Sequence, residues 1–293
     1  MQERLHLSIR GRRATRRLGS SLLVLALIFT ACGDDGAPTP DAIVDQVFAA
    51  IAAGDRDAIE TLVREDYVQH SALAADGRQG LLDSLDVLAT LAVERHRTLV
   101  DGNLVALHQT YTFPDGARQV AFDVFRVEGG QLAEHWDALQ PEVTETVSGR
   151  SMTDGPTGPT DLERTEANRA LVVEFVAAVL TRGEFDRLPE LISTGAYAQH
   201  NPLIGDGLEG LGTFTSGLAE AGIAFFYTRS PLVVAEGDFV LVGSEGAFGP
   251  AEDPPFAIFY DLFRVEDGLI VEHWDVIPPS PDPTALPHDN GFF

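Results

Sequence analysis

Asp123 and Asp261 are the residues whose type and setting most invite chemistry. Each opens the string Asp-x-Phe-Arg-Val-Glu, which runs through a Gly-containing turn into Glu-His-Trp-Asp, over residues 123–137 and again over 261–275. Gly129-Gly130 and Asp267-Gly268 read as two-residue hairpin turns. Counting back from them sets Asp123 opposite Trp136 and Asp261 opposite Trp274. Opposed residues of an antiparallel pair share a face, about 5 Å apart at Cβ, whereas a slip of one residue exchanges the faces. A carboxylate held in an apolar hollow has its charged form disfavoured, so its pKa rises. It is then tuned to take a proton from carbon next to a carbonyl and return it. The plainer reading is a structural carboxylate bonded to the indole N–H or to an arginine.

These strings are one landmark of a repeat. Tyr67-Val68-Gln69-His70 recurs as Tyr197-Ala198-Gln199-His200, an offset of 130, and Glu134-His135-Trp136-Asp137 as Glu272-His273-Trp274-Asp275, an offset of 138. Two copies of one domain that differ by loop insertions explain this, and 293 residues are enough for both. In the first copy, apolar spacing predicts helices over 41–53, 55–64 and 79–94, with a short turn or partial helix at 65–70. Strands are expected over 97–100, 104–111, 119–127 and 131–139. In the second, helices are expected over 168–181, 184–192 and 208–221, and strands near 224–229, 233–235, 239–246, 256–265 and 269–277. Helices followed by antiparallel strands make each copy α+β. The reading is of domains at 41–140 and 166–277, a Thr-, Gly- and Pro-rich linker at 141–165, and a Pro-rich tail at 278–293, either unstructured or with Phe292 and Phe293 docked. Alternation along the strands sends His135 and His273 to the face opposite Asp123 and Asp261, as interface or structural residues. Apolar residues on both faces of these strands, such as Phe122 and Val124 against Phe125, suggest that the copies pair within the chain as a pseudo-dimer.

The formal charge is −25, and the chain has no lysine. Such a surface repels phosphate backbones, so no nucleic-acid partner is expected, and Schiff-base lysine chemistry is excluded. No paired cysteines or metal-ligand spacing appear, so neither a metal nor a cofactor is expected. Arg12, Arg13, Arg16 and Arg17 precede a short apolar run, Leu22 to Phe29, which ends at Ala31-Cys32-Gly33; Cys32 is the chain's single cysteine. The run is too short to span a bilayer. The pattern resembles a bacterial lipoprotein signal over 1–31 with lipidation at Cys32, followed by a flexible tether over 32–40. It implies an envelope protein anchored to the membrane outside the cytoplasm; a cleaved secretory signal is the alternative.

The order helix–helix–Tyr-x-Gln-His–loop–helix, then strands ending Asp-x-Phe-Arg and Glu-His-Trp-Asp, resembles the SnoaL-like polyketide cyclases of the nuclear-transport-factor-2-like superfamily, which also contains ketosteroid isomerase. The resemblance covers both copies. It implies two tandem cone-shaped barrels, each with three N-terminal helices packed in a strongly curved, mostly antiparallel sheet around an apolar pocket. It also implies that Asp123 and Asp261 face that pocket as acid/base groups, with Trp136 and Trp274 beside them. His108 fits an assisting histidine, while His70 and Tyr67, with His200 and Tyr197 in the second copy, would line the mouth. Gly243 or Ser244 stands where the first copy has His108, which sets the second copy apart. Bonding roles within the core are the alternative for His70 and His200. Two functions remain open: cofactor-free aldol cyclisation or isomerisation of a small apolar carbonyl compound, or a non-catalytic module holding such a ligand outside the cytoplasm.

Overall fold

The computed structural model describes residues 36–279 and 282–293, and residues 37–293 form one compact unit. The signal-like segment and Cys32 lie outside the described residues. The first repeat runs α1 (Pro40–Ala53), α2 (Arg56–Leu62), β1 (Val63–Gln69), α3 (Gly77–Leu88), β2 (Ala92–Asp101), β3 (Leu104–Thr112), β4 (Arg118–Glu128) and β5 (Gln131–Pro141). The second runs α4 (Thr165–Phe175), α5 (Leu188–Leu191), β6 (Ala198–Gln199), α6 (Gly207–Glu220), β7 (Ile223–Glu236), β8 (Phe239–Pro250), β9 (Phe256–Glu266) and β10 (Leu269–Val276). The sheets are open and five-stranded, with orders β1-β5-β4-β3-β2 and β6-β10-β9-β8-β7. The strand pairs β1–β5 and β6–β10 are parallel, as is the isolated bridge between Ile192 and Ile270, and the other strand pairs among the described residues are antiparallel.

Local sequence accounts for the helices that cover each sheet. Pro40 supplies the fixed φ of a first helical position. Ile43, Val44, Val47 and Ala50 make one buried stripe on α1. Gly54, at φ 64°, ends the helix by donating its N–H to the Ala50 and Ile51 carbonyls. Two expectations fail here. The third helix stops at Leu88 and not near Glu94, because Ala92–Asp101 pairs along β3. Residues 63–69 form a strand, not a turn, and lie parallel to β5. In the second repeat, the two short strands expected near 224–235 are one long strand, with register shifts between Tyr227 and Leu232. Pro231, which cannot donate to a ladder, falls in that irregular stretch.

Strand alternation builds three cores. Phe125 and Val127 pack under α1–α3. Phe259, Phe263 and Val265 pack under the helices of the second repeat. The other faces meet in a single cluster that takes Phe122, Val124 and Trp136 from the first sheet and Tyr260, Leu262 and Trp274 from the second. Polar contacts cross between the repeats as well: Val100 donates its N–H to Glu236 at 2.7 Å, and Ile277 to Gln140 Oε1 at 2.7 Å. The end of the tail is docked, the alternative left open for its two phenylalanines. Phe292 and Phe293 both join the shared cluster, and Phe293 stacks on Tyr260 at 5.6 Å. His108 pairs with Phe122 on the neighbouring strand and Gly243 pairs with Tyr260, so Gly243 is the counterpart of His108. A Cβ at Gly243 would lie 2.5 Å from the Phe293 ring. The C-terminal phenyl ring thus takes in the second repeat the place that the His108 ring, stacked on Phe122 at 4.4 Å, fills in the first.

Candidate active site

The hairpin turns begin as expected, with Glu128 opposite Gln131 and Glu266 opposite Leu269. A one-residue bulge then intervenes. Arg126 pairs with Glu134 and Arg264 with Glu272, which leaves Ala133 and Val271 as the extra residues. From there on the pairing is moved by one. Asp123 faces Asp137 and Asp261 faces Asp275, while Trp136 and Trp274 pair with Val124 and Leu262 on the opposite face. The expected Asp–Trp neighbours are therefore wrong. Both indoles belong to the core between the repeats, and His135 and His273 belong with the aspartates.

The other expected site residues divide along the same line. His70 and His200 lie on the indole face; they stack on Trp136 at 5.1 Å and Trp274 at 4.6 Å, and pair with Glu134 and Glu272 at 2.9 and 3.0 Å. His108 also faces that side. Arg97 donates to its Nδ1 at 2.8 Å, its Nε2 is buried without a partner, and burial followed by the Arg97 charge holds its pKa well below the ordinary histidine value. It stays neutral and out of reach of Asp123. Tyr67 and Tyr197 do stand on the helix side of their sheets.

The structure assembles an Asp–His–Asp set in each repeat instead: Asp123, His135 and Asp137, and Asp261, His273 and Asp275, with ligand atoms of each set within 4.8 Å of one another. In the second repeat, His273 Nε2 lies 3.0 Å from Asp261 Oδ1, and Nδ1 lies 3.0 Å from Gln199 Oε1. That amide oxygen also accepts the Asn201 N–H at 2.9 Å, which fixes the amide's orientation. Both ring nitrogens thus point at acceptors and the ring is set to donate twice, as an imidazolium. Burial pushes its pKa down, but the bond to Asp261 and the charges of Asp275 and Asp261 outweigh it, and the pKa rises. A metal would need a lone pair from a ring whose nitrogens both serve as donors, so this set suits a proton better than a cation. Asp261 is fully engaged, since its second oxygen accepts the Tyr227 hydroxyl at 2.8 Å. Asp275 is not. Asn201 donates to its Oδ2 at 2.6 Å, and its Oδ1 is buried without a partner. Burial raises the Asp275 pKa to about 6, against the pull of His273 and with the help of Asp261.

That carboxylate lines a cavity of about 250 Å³ walled by Phe175, Phe214, Phe225, Phe248 and Phe263, with Tyr197, Gln199, Asn201 and Tyr227 among the polar groups. The first repeat differs at two positions of β3. Gln109 and Tyr111 donate to Asp123 at 2.8 and 3.1 Å and close over it. Their counterparts by register are Ser244 and Gly246. No side chain fits at Gly246, where a Cβ would lie 2.1 Å from the Phe226 carbonyl oxygen. In the second repeat Tyr227, from β7, supplies to Asp261 the hydroxyl that Tyr111 of β3 supplies to Asp123. A larger surface groove of about 860 Å³ passes Arg150, Asp206, Arg264 and Glu272. Its arginines are bonded to carboxylates of the same groove and offer no free charge. Asp275, His273, Asn201 and Tyr227 escape the sequence reading, although a period of two already puts the His and Asp of Glu-His-Trp-Asp on one face.

The SnoaL-like domain matches twice, over residues 44–135 and 172–273. No curated protein matches the chain. Among solved structures, IdmH of Streptomyces antibioticus is 20% identical, over 35% of this chain and 93% of its own, at a TM-score of 0.31. An NTF2-like protein of unknown function from Mesorhizobium loti is 19% identical over 37% of this chain and 96% of its own, at 0.33. A steroid delta-isomerase from Pseudomonas aeruginosa is 22% identical over 35% and 80%, at 0.31. With two family matches that together cover more than half of its length, the chain belongs to the SnoaL-like family, as a tandem of two such domains, each of α+β build.

Proposed function

We propose that the second repeat carries cofactor-free proton transfer, of the aldol-cyclisation or isomerisation type, on a small uncharged carbonyl compound. Asp275 is the base, and the observation that carries this reading is its unpartnered Oδ1, buried in an apolar cavity. An anionic substrate would meet two carboxylates, Asp261 and Asp275, against one imidazolium. Asn201 holds the second oxygen of Asp275 and so aims the first. His273, locked between Asp261 and Gln199, keeps a positive charge beside the base and steadies its ionised form. Tyr197 and Tyr227 keep their protons, because burial raises both phenol pKa values. A phenol in this wall is therefore a donor for a developing enolate oxygen. Asp123 and Asp261 become structural partners of the histidines rather than bases.

The test is solvent-deuterium incorporation into a panel of cyclic ketones and 1,3-dicarbonyl compounds. The parent is expected to exchange those that fit, with kcat/KM rising as pH increases through about 6, where Asp275 loses its proton. Ligand binding, seen by calorimetry, with no exchange across the panel would leave the second repeat a binding module. We read the shared core as an intramolecular pairing of the repeats, with the first supplying mainly support. The Arg-rich start, the apolar run and Cys32 support an anchored protein outside the cytoplasm. Cys32→Ser is accordingly expected to abolish incorporation of radiolabelled palmitate and to release the protein from the membrane fraction. Palmitate retained by the variant would refute the anchor.

A further inference from the structure

The segment that leaves the last strand of each repeat crosses to the other repeat, and the two crossings match residue for residue. After β5, Arg150 bonds Asp206 at 2.9–3.1 Å, the Ser151 carbonyl faces His200 Nδ1 at 2.7 Å, and Met152 enters the shared core. After β10, Asn290 donates to Asp76 at 2.8 Å, the Gly291 carbonyl faces His70 Nδ1 at 3.1 Å, and Phe292 enters the same core. Asp76 and Asp206 hold corresponding places ahead of α3 and α6, and accept the backbone N–H groups of Gln69 and Gln199 at 3.0 and 2.9 Å. Those glutamines fix the Nδ1 atoms of His135 and His273, each at 3.0 Å.

A second clamp acts from behind. Trp274 stands between His273 and Asp275 and points away from the cavity. Its indole N–H donates to the Asp154 carbonyl at 2.9 Å, and Arg97 lies over its ring at 4.2 Å. Arg97 in turn donates to the carbonyls of Thr153 and Pro156 at 3.1 and 2.7 Å. Gly155 sits at φ 99°, and a Cβ there would lie 2.8 Å from Glu272 Oε1 and 2.9 Å from the Trp274 ring. The strap fits the back of β10 as glycine and as nothing larger.

We propose that these extensions are exchanged positioning elements: residues 150–156, which follow the first repeat, complete the site of the second, and residues 288–293 complete that of the first. The proposal rests on the reading of the second repeat as the reactive one. Neither segment lines the cavity. Each acts through the Gln that fixes a histidine, and the strap also through the back of the strand that carries His273 and Asp275. The site that binds substrate is thereby built from both repeats.

The test uses the full chain with ¹⁵N-labelled histidine and follows the imidazole resonances of His135 and His273 against pH. Gly155→Val is expected to move the His273 midpoint by about half a unit or more while His135 stays in place. Asn290→Leu, which removes the donor to Asp76 without adding charge, is expected to do the reverse. Variants that move neither midpoint, or that move both alike, overturn the proposal. Should Gly155→Val fail to fold, Asn290→Leu decides by the same criterion, with His273 as the internal reference. The readout needs no turnover, so a protein without proton-transfer activity fails the functional reading and leaves this test intact.

Discussion

Asp275→Asn is expected to lower deuterium exchange by about 10²- to 10⁴-fold, the usual worth of a positioned general base, while ligand binding survives. The substitution keeps the shape of the side chain and the cavity wall, and removes only the capacity to accept a proton at Oδ1. Asp137→Asn makes the same change in the first repeat, where Gln109 and Tyr111 close over Asp123, and is expected to leave exchange unaltered. The pair separates the repeats without unfolding either. Loss of exchange in Asp137→Asn with activity kept in Asp275→Asn would assign the chemistry to the other cone.

Arg97→Met should cost about 3–5 kcal/mol of stability, in the range for removing one member of a buried charged network. Arg97 is 2% exposed and stands in the seam between the repeats. Its guanidinium donates to the carbonyls of Thr153, Asp154 and Pro156 and to His108. Burial lowers its pKa to about 10, with Glu272 and Asp154 resisting the fall. Methionine fills similar volume but takes the guanidinium donor away from the Thr153 and Pro156 carbonyls and leaves the Asp154 carbonyl with the Trp274 indole alone. Thermal unfolding of the variant is expected to fall by roughly 10 °C or more. A loss below about 1 kcal/mol would mean that the linker is held mainly by apolar contacts.

The duplication, the α+β class and the family were legible in the sequence, because they rest on repeated strings and on periodicities of 3.6 and 2. The site was legible in part. Asp261 and Tyr197 do line the cavity, but the bulges at Ala133 and Val271 carry no sequence mark. Ala and Val are ordinary strand residues, and one extra residue exchanges every side chain beyond it between faces. That step moved Trp136 and Trp274 out of the pocket and His273 and Asp275 into it. His70, His108 and His200 looked reactive by type, yet their surroundings commit them to the seam between the repeats. The matching extensions were also hidden. Arg150-Ser151-Met152 and Asn290-Gly291-Phe292 share no residue, because two of the contacts use backbone carbonyls and side-chain donors of different kinds. That Tyr227 of β7 serves Asp261 as Tyr111 of β3 serves Asp123 is likewise visible only once the register is known.

Whether a proton acceptor really waits in the second cone can be read without knowing the substrate. The ¹³C-carboxyl resonance of Asp275, assigned by its loss in Asp275→Asn, should titrate with a midpoint near 6, as burial in the aromatic cavity requires. A midpoint at the ordinary carboxylate value, about 4, would mean that water reaches Oδ1 freely, and would contradict the assignment of Asp275 as the base.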